Sequence, residues 1–338
     1  MYEDSVEEFE DKKISKNASM IGAHHGRSTT DWPINEIFLF IKSQLCTKSE
    51  KMFCDAKAGQ TLACFSHLIL CKFAPLNRYI EKKVSEVLPQ NFYIHQKKNF
   101  EELEAWVINY KFDGYCTESD YEAYDASQDA YTLSFEYELM RYLGVSNSLI
   151  DDYLFLKMHL CCKLGNLAIM RFTGEFCTFL FNTLTNMLFT FLKYDVRKSH
   201  AICFAGDDMC ANTRLPDNPN FKDMLKNFSL KAKVQFTKNP TFCGWNLSKY
   251  GIVKKPELIA ARLAVAQQKQ EVHLVIDSYY LEHSFAYTKG DLLFEILSES
   301  ELEHHYNLTR FFVKHSNQLK GLAKERYLEA RSIEGGLF

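Results

Sequence analysis

The stretch ICFAGDDMCAN, from Ile202 to Asn212, sets two adjacent aspartates inside an otherwise apolar run. Ionised carboxylates are costly to desolvate, and a buried pair also repels itself. A hairpin tip facing a cleft resolves the conflict, and so does a bound divalent cation. The apolar residues on either side read as two strands, which puts Gly206-Asp207-Asp208 at the turn, where glycine permits the tight backbone. Taken alone, the same tripeptide also describes an ordinary Asp-Asp turn.

The 338 residues are 46% hydrophobic and 14% aromatic, enough for a large core in one to three domains. With 14 Gly and 7 Pro, no low-complexity tract and no repeat, the chain reads as one continuous globular unit. The N-terminus MYEDSVEEFEDKK is acidic and carries no secretion signal, so most of the 11 cysteines are expected as buried thiols in a reducing cytosol. Cys64, His67 and Cys71 have a spacing that could hold zinc, but their segment reads as an amphipathic helix and no fourth ligand is obvious. A net charge of -3 argues against indiscriminate nucleic-acid binding. Lysines 231, 233, 238, 249, 254 and 255 nevertheless follow one another without an intervening acid, as a solvated face or a phosphate track would. The uncharged run FCTFLFNTLTNMLFTFL is slightly short for a membrane span and rich in Thr and Asn, so no transmembrane segment is expected. It reads as a buried helix with a polar stripe.

Periodicity predicts a helix over LNRYIEKKVSEVLP, a strand running into a loop over 112–120, and a helix after it, capped by Asp125 or Ser127 and closed by Gly144. A helix over about 147–163 and a hairpin turning at Gly165-Asn166 follow. Beyond the uncharged helix and the Gly206 hairpin come a short helix FKDMLKNF, a strand KAKVQFT and a hairpin FCGWNLSKYGIV. After about residue 256 the pattern turns helical. The fold class is α+β, with helical parts around a strand-bearing centre.

Four constellations carry chemistry. Asp120 ends a strand and Asp125 follows it in DYEAYDASQD. Asp125 could simply cap a helix, but a strand-end carboxylate beside a hairpin-tip carboxylate is how two hard cations are held for in-line phosphoryl displacement. Gly174, Thr178, Asn182 and Asn186 recur at helical spacing as one small, polar stripe. An amide facing such a site suits a ribose 2′-hydroxyl, which both donates and accepts. Upstream, Lys42, Lys48, Lys51 and Lys57 could clamp a triphosphate, although a mixed charge run of this kind is also common on surfaces.

In order, a basic strand, D-x4-D, a Gly/Thr/Asn helix, a GDD hairpin and a lysine-rich strand resemble motifs F, A, B, C and D of viral RNA-dependent RNA polymerases. DYEAYDASQD, TGEFCTFLFNTLTN, FAGDD and FCGW look closest to the alphavirus-like replicases, and among those to flexuous plant viruses of the Tymovirales, betaflexivirus type. The resemblance covers roughly residues 36–256. Thr173 stands where many members have Ser, which keeps the hydroxyl.

The resemblance implies a right-hand polymerase fold. Residues 1–110 would form the N-terminal segment and fingers, with basic motif F at 42–65. Residues 111–245 would form the palm, with a small antiparallel sheet and a fingers insertion near 145–172, and 246–338 a mostly helical thumb. It implies RNA-templated RNA synthesis from NTPs with two Mg²⁺ or Mn²⁺ ions. Asp120, Asp207 and Asp208 would be catalytic metal ligands, with Lys238 as proton donor to pyrophosphate. Lys42, Lys48, Lys51, Lys57, Asp125, Gly174, Thr178 and Asn182 would bind the nucleotide, and Lys254, Lys255 and Trp245 the RNA. The implied partners are template and nascent RNA, NTPs, and methyltransferase and helicase domains of the same replicase polyprotein. No GxxxxGK[ST] loop occurs in this chain itself. The implied location is the host cytoplasm, in membrane-associated replication complexes. A reverse transcriptase is the alternative, disfavoured by Asp125 and Asn182, and a non-catalytic RNA- or protein-binding remnant is another, disfavoured by the intact aspartates.

Overall fold

Why the paired aspartates are tolerated follows from the strands on either side of them. Ile202–Ala205 (β7) and Asp208–Ala211 (β8) pair antiparallel with Ala205 opposite Asp208, which leaves Gly206 and Asp207 as the turn. Gly206 has φ 62, the left-handed value a two-residue hairpin needs at its first turn position. Both strands are buried except next to the turn, hence their apolar composition. They lie in a five-stranded sheet of order β3-β7-β8-β4-β9, with β3 at Phe92–Ile94, β4 at Cys116–Tyr121 and β9 at Ala232–Thr237. The sheet is mixed and not wholly antiparallel, because β3 runs parallel to β7.

The computed structural model describes residues 2–11, 33–41 and 61–333. The acidic N-terminus is helical over residues 2–11 (α1). It packs on the next helix, α2 (His67–Val87), with Tyr2 against Tyr79 and Arg78 over the Phe9 ring. A two-stranded ribbon, β1 (Phe38–Ile41) with β2 (Thr61–Cys64), lies between α1 and α2 in sequence. α2 begins well before the expected Leu76, since Ser66 caps it by accepting from the Ile69 amide, and Pro75 is accommodated inside it. α3 spans Phe100–Tyr110.

The uncharged run forms α6 (Thr178–Lys193), and it is buried on nearly every side. One face packs on β7, and the other joins α2, α4 (Ala130–Tyr142) and α5 (Asn147–His159) in the largest core. There Phe73 stacks on Phe176 with ring centroids 4.5 Å apart. The cap of α4 is Asp129, which accepts from the Tyr131 and Thr132 amides, and not Asp125 or Ser127, which sit in a 3-10 turn before it. The small hairpin β5 (Cys161–Cys162) and β6 (Gly165–Asn166) turns at residues 163–164. Gly165-Asn166 is its return strand, not its turn.

After α7 (Lys222–Leu225) and β9, the segment read as one hairpin makes two. β10 (Thr241–Phe242), β11 (Trp245–Ser248) and β12 (Gly251–Lys254) form an antiparallel three-stranded sheet. The chain then continues as helices α8 (Pro256–Gln268), α9 (Val272–Ser284), α10 (Leu293–Ile296), α11 (Glu299–Lys314) and α12 (Gly321–Ile333). α8, α9, α11 and α12 enclose a core of their own around Ile259, Tyr280 and Phe312. Among the described residues no helix is long and apolar enough to cross a membrane.

Candidate active site

Carboxylates meet at one end of the five-stranded sheet. β4 runs antiparallel to β8 with Ser119 opposite Met209, so that Asp120, one residue on, comes level with Asp208. Asp120 is held by its own chain, its Oδ1 accepting from the Tyr121 amide at 2.8 Å. Asp207 stands exposed at the turn, yet protein flanks its carboxyl. That desolvation, and after it the charges of Asp208, Asp120 and Asp125, push its pKa up to about 6. Asp208 is half-buried and takes a hydrogen bond from the thiol of Cys243, in the turn between β10 and β11.

Because Asp129 does the capping, the Asp125 carboxylate is available to the site. Its Oδ1 accepts from Asn182 Nδ2 at 2.8 Å and its Oδ2 from Thr173 Oγ1 at 3.5 Å, while its backbone carbonyl accepts from the Arg171 amide. Asn182 is buried on α6, and its amide oxygen has no hydrogen-bond partner in the structure. An unpaired buried acceptor costs free energy, so a hydroxyl delivered there would relieve it. Gly174 serves the same loop through its backbone. At φ 99 a Cβ would stand 2.6 Å from the Ala63 carbonyl oxygen, so only glycine lets β2 approach this closely. The Thr178 hydroxyl is taken up by the Phe172 and Glu175 carbonyls, and it thereby shapes the start of α6.

Three of the sequence-predicted residues stand elsewhere. Trp245 is fully buried, tilted against Phe100 and set edge-on to Phe285, so its ring cannot stack on a base. Lys254 is buried too, its Nζ 4.9 Å from the Trp245 ring centroid and 3.6 Å from Glu282, which makes it an internal prop and not an RNA contact. Lys238 lies exposed just past Thr237, whose partner is Cys116 at the far end of β4. Lys238 is thus five residues beyond the position opposite Asp120, roughly 16 Å along the strand at about 3.3 Å per residue. The lysine opposite Asp120 is Lys233. A periodic lysine run reports charge, and which of its members faces a site depends on strand register. Lys255 is half-buried, and Lys42, Lys48, Lys51 and Lys57 lie outside the described residues.

Sequence reasoning missed a buried ionic quartet behind the loop. Lys157 Nζ donates to Glu175 at 2.7 Å and to the Met170 carbonyl at 2.6 Å. Arg171 pairs with Glu136 and Glu175, and Glu136 also accepts from Tyr153 at 2.6 Å. All four charged side chains are at most 2% exposed. The signal was present in the sequence, since Lys157 and Glu136 interrupt the apolar faces of LFLKMHL and TLSFEYELM.

Among the described residues no three His, Cys, Asp or Glu side chains close around one point as a metal cage. Of the Cys64, His67 and Cys71 set, the His67 side chain lies outside the described residues. The chemistry of the converging groups still fits a hard divalent cation. They are carboxylates, the oxygen ligands such cations take, and the charges of Asp208, Asp120 and Asp125 add to the burial that raises the Asp207 pKa.

A family model described as RNA dependent RNA polymerase matches residues 1–280. The chain is 54% identical over 327 residues to the RNA replication polyprotein of Apple stem pitting virus (isolate PA66), covering 97% of this chain and 15% of that protein. It is 54% identical over 322 residues to the RNA replication protein of Potato virus S (strain Peruvian), covering 95% and 91%. To the RNA-directed RNA polymerase of Apple chlorotic leaf spot virus (isolate apple) it is 51% identical over 323 residues, covering 96% and 17%. The chain thus spans less than a fifth of the polyprotein relatives, which are larger replication proteins.

Proposed function

The chain belongs to the RNA-dependent RNA polymerase family, and we propose on that premise that it joins ribonucleotides on an RNA template as the polymerase part of a longer viral replicase. The observation that carries the reading is the strand register that brings Asp120 level with Asp208, beside the turn that carries Asp207. Membership of this family carries a divalent-metal requirement in general. Asp120, Asp207 and Asp208 would hold the cations, two Mg²⁺ or Mn²⁺, which supply an activated 3′-hydroxyl and neutralise the leaving pyrophosphate.

The protein's own groups do the rest. Asn182 offers its unpaired amide oxygen to the ribose 2′-hydroxyl, and Asp125 fixes the amide from the other side. Lys233, set opposite Asp120 and exposed, is the lysine in register to protonate pyrophosphate, the role expected of Lys238. The five-stranded sheet with α4 and α6 would be the palm of a right hand, residues 246–338 its thumb, and residues 1–110 apart from β3 its fingers, with a fingers insertion near 145–172. Methyltransferase and helicase partners would lie on the remaining length of such a replicase, working in membrane-associated complexes of the host cytoplasm.

Primer extension on an RNA template, with NTPs and dNTPs compared, tests the reading. The expected result is metal-dependent addition of NTPs far in excess of dNTPs. Extension of the primer on the RNA template with dNTPs preferred over NTPs would replace it with a reverse transcriptase.

A further inference from the structure

Asn186 is fully buried on α6, one turn beyond Asn182, and its side chain touches both arms of the carboxylate site. Its Oδ1 accepts from the Tyr121 hydroxyl at 2.9 Å. Tyr121 follows Asp120, and its amide is the group that holds the Asp120 carboxylate. The Nδ2 of Asn186 donates to the carbonyls of Gly206 at 3.1 Å and Asp208 at 3.2 Å, the residues on either side of Asp207. On the same helix, the Thr183 hydroxyl accepts from the Gly206 amide at 2.9 Å.

We infer that Asn186 is a positioning residue that sets the spacing between Asp120 and Asp207, and with it the affinity of the site for a divalent cation. The inference rests on the polymerase reading only for which cation-dependent reaction the site serves. A primary amide suits the task because it accepts with one atom and donates twice with the other, so one side chain joins β4 to the β7–β8 turn. Neither Leu, which does neither, nor Asp, which cannot donate when ionised, can replace it. Carboxylates brought together repel one another, so a turn held to α6 by Thr183 alone would relax away from Asp120. Groups that orient metal ligands from behind commonly govern affinity by one to two orders of magnitude.

The test uses the full chain and Mn²⁺ as the probe, with free Mn²⁺ followed by electron paramagnetic resonance. Asp207→Asn identifies the binding that belongs to this site. Asn186→Leu should raise the Mn²⁺ dissociation constant on the order of tenfold and lower kcat for primer extension, with the KM for NTP unchanged. Tyr121→Phe removes one of the three bonds and leaves the core shape intact. It should move affinity the same way by less, and it keeps the question open to decision if Asn186→Leu fails to fold. A folded Asn186→Leu with wild-type Mn²⁺ affinity overturns the inference, as does an unchanged Tyr121→Phe where the first variant cannot be obtained. A wild-type chain that binds Mn²⁺ through Asp207 but extends no primer would remove the polymerase reading and leave this one standing. Normal extension with Mn²⁺ affinity indifferent to Asn186 would do the reverse.

Discussion

Asn182 Oδ1 is buried and unpaired while its Nδ2 is spent on Asp125, so the amide is half satisfied until something donates to it. A site built to pair a hydroxyl rejects the analogue that lacks it, because its own polar group stays orphaned. Asn182→Ala removes that acceptor and frees Asp125 together. The preference for NTP over dNTP should therefore narrow by at least about tenfold, measured as the ratio of kcat/KM values. An unchanged ratio would exclude Asn182 as the group that reads the sugar. Of the residues that sequence reading singled out, Asp125, Asp207 and Asn182 stand beside apolar or turn-forming residues, whereas Asp120 lies among polar ones and was legible only from its place at a strand end. Trp245 and Lys254 were misread because an aromatic and a lysine look alike in sequence whether they line a channel or fill a core. Their burial depends on Phe100 and Glu282, contributed by α3 and α9.

The loop that carries Thr173 and Gly174 is held from behind by the Glu136, Lys157, Arg171 and Glu175 quartet, contributed by α4, α5 and the loop itself. Such a network is costly to desolvate and costlier to break, since removing one partner strands a buried charge. Arg171→Met should lower the unfolding free energy by about 3–5 kcal/mol in urea titration. Glu136→Leu combined with Arg171→Met leaves the neutral Lys157–Glu175 pair and should recover most of the loss. A single-variant cost under about 1 kcal/mol would mean that the network adds nothing to the loop. A second element-scale effect lies in the C-terminal helices, where His283 of α9 and His305 of α11 sit with ring centroids 4.6 Å apart. Burial holds both below the ordinary histidine value, with the neighbouring His305 adding to the effect on His283, and His305 is lowered to about 4. Between about pH 6.5 and 4 the unfolded chain therefore binds protons that the folded chain refuses, and stability falls as pH drops through that window. For His305 alone the loss approaches about 3 kcal/mol near pH 4, at about 1.36 kcal/mol per pH unit. His305→Phe should flatten the decline in urea midpoint from pH 7 to 5, whereas a slope equal to the wild type would contradict the assignment.

At the scale of the molecule, the order of elements was legible and their junctions were not. β4, α6, the β7–β8 hairpin and the helices after residue 256 follow from apolar periodicity and turn chemistry, which are local. The parallel pairing of β3 with β7, the second turn in FCGWNLSKYGIV and the choice of Asp129 over Asp125 as helix cap depend on contacts distant in sequence or on competition between adjacent polar residues. The last of these matters most for function, since it leaves Asp125 to Asn182. The carboxylates gathered at the end of the sheet are proposed to perform nucleotidyl transfer. The direct measurement is single-nucleotide primer extension by Asp207→Asn beside the wild type, with thermal unfolding of both in parallel. The substitution removes one charge from a turn that bears no core packing. Turnover should therefore drop by at least about a hundredfold while the unfolding temperature holds or rises, as a mutually repelling carboxylate is lost. Near-normal turnover in a folded Asp207→Asn protein would contradict the account.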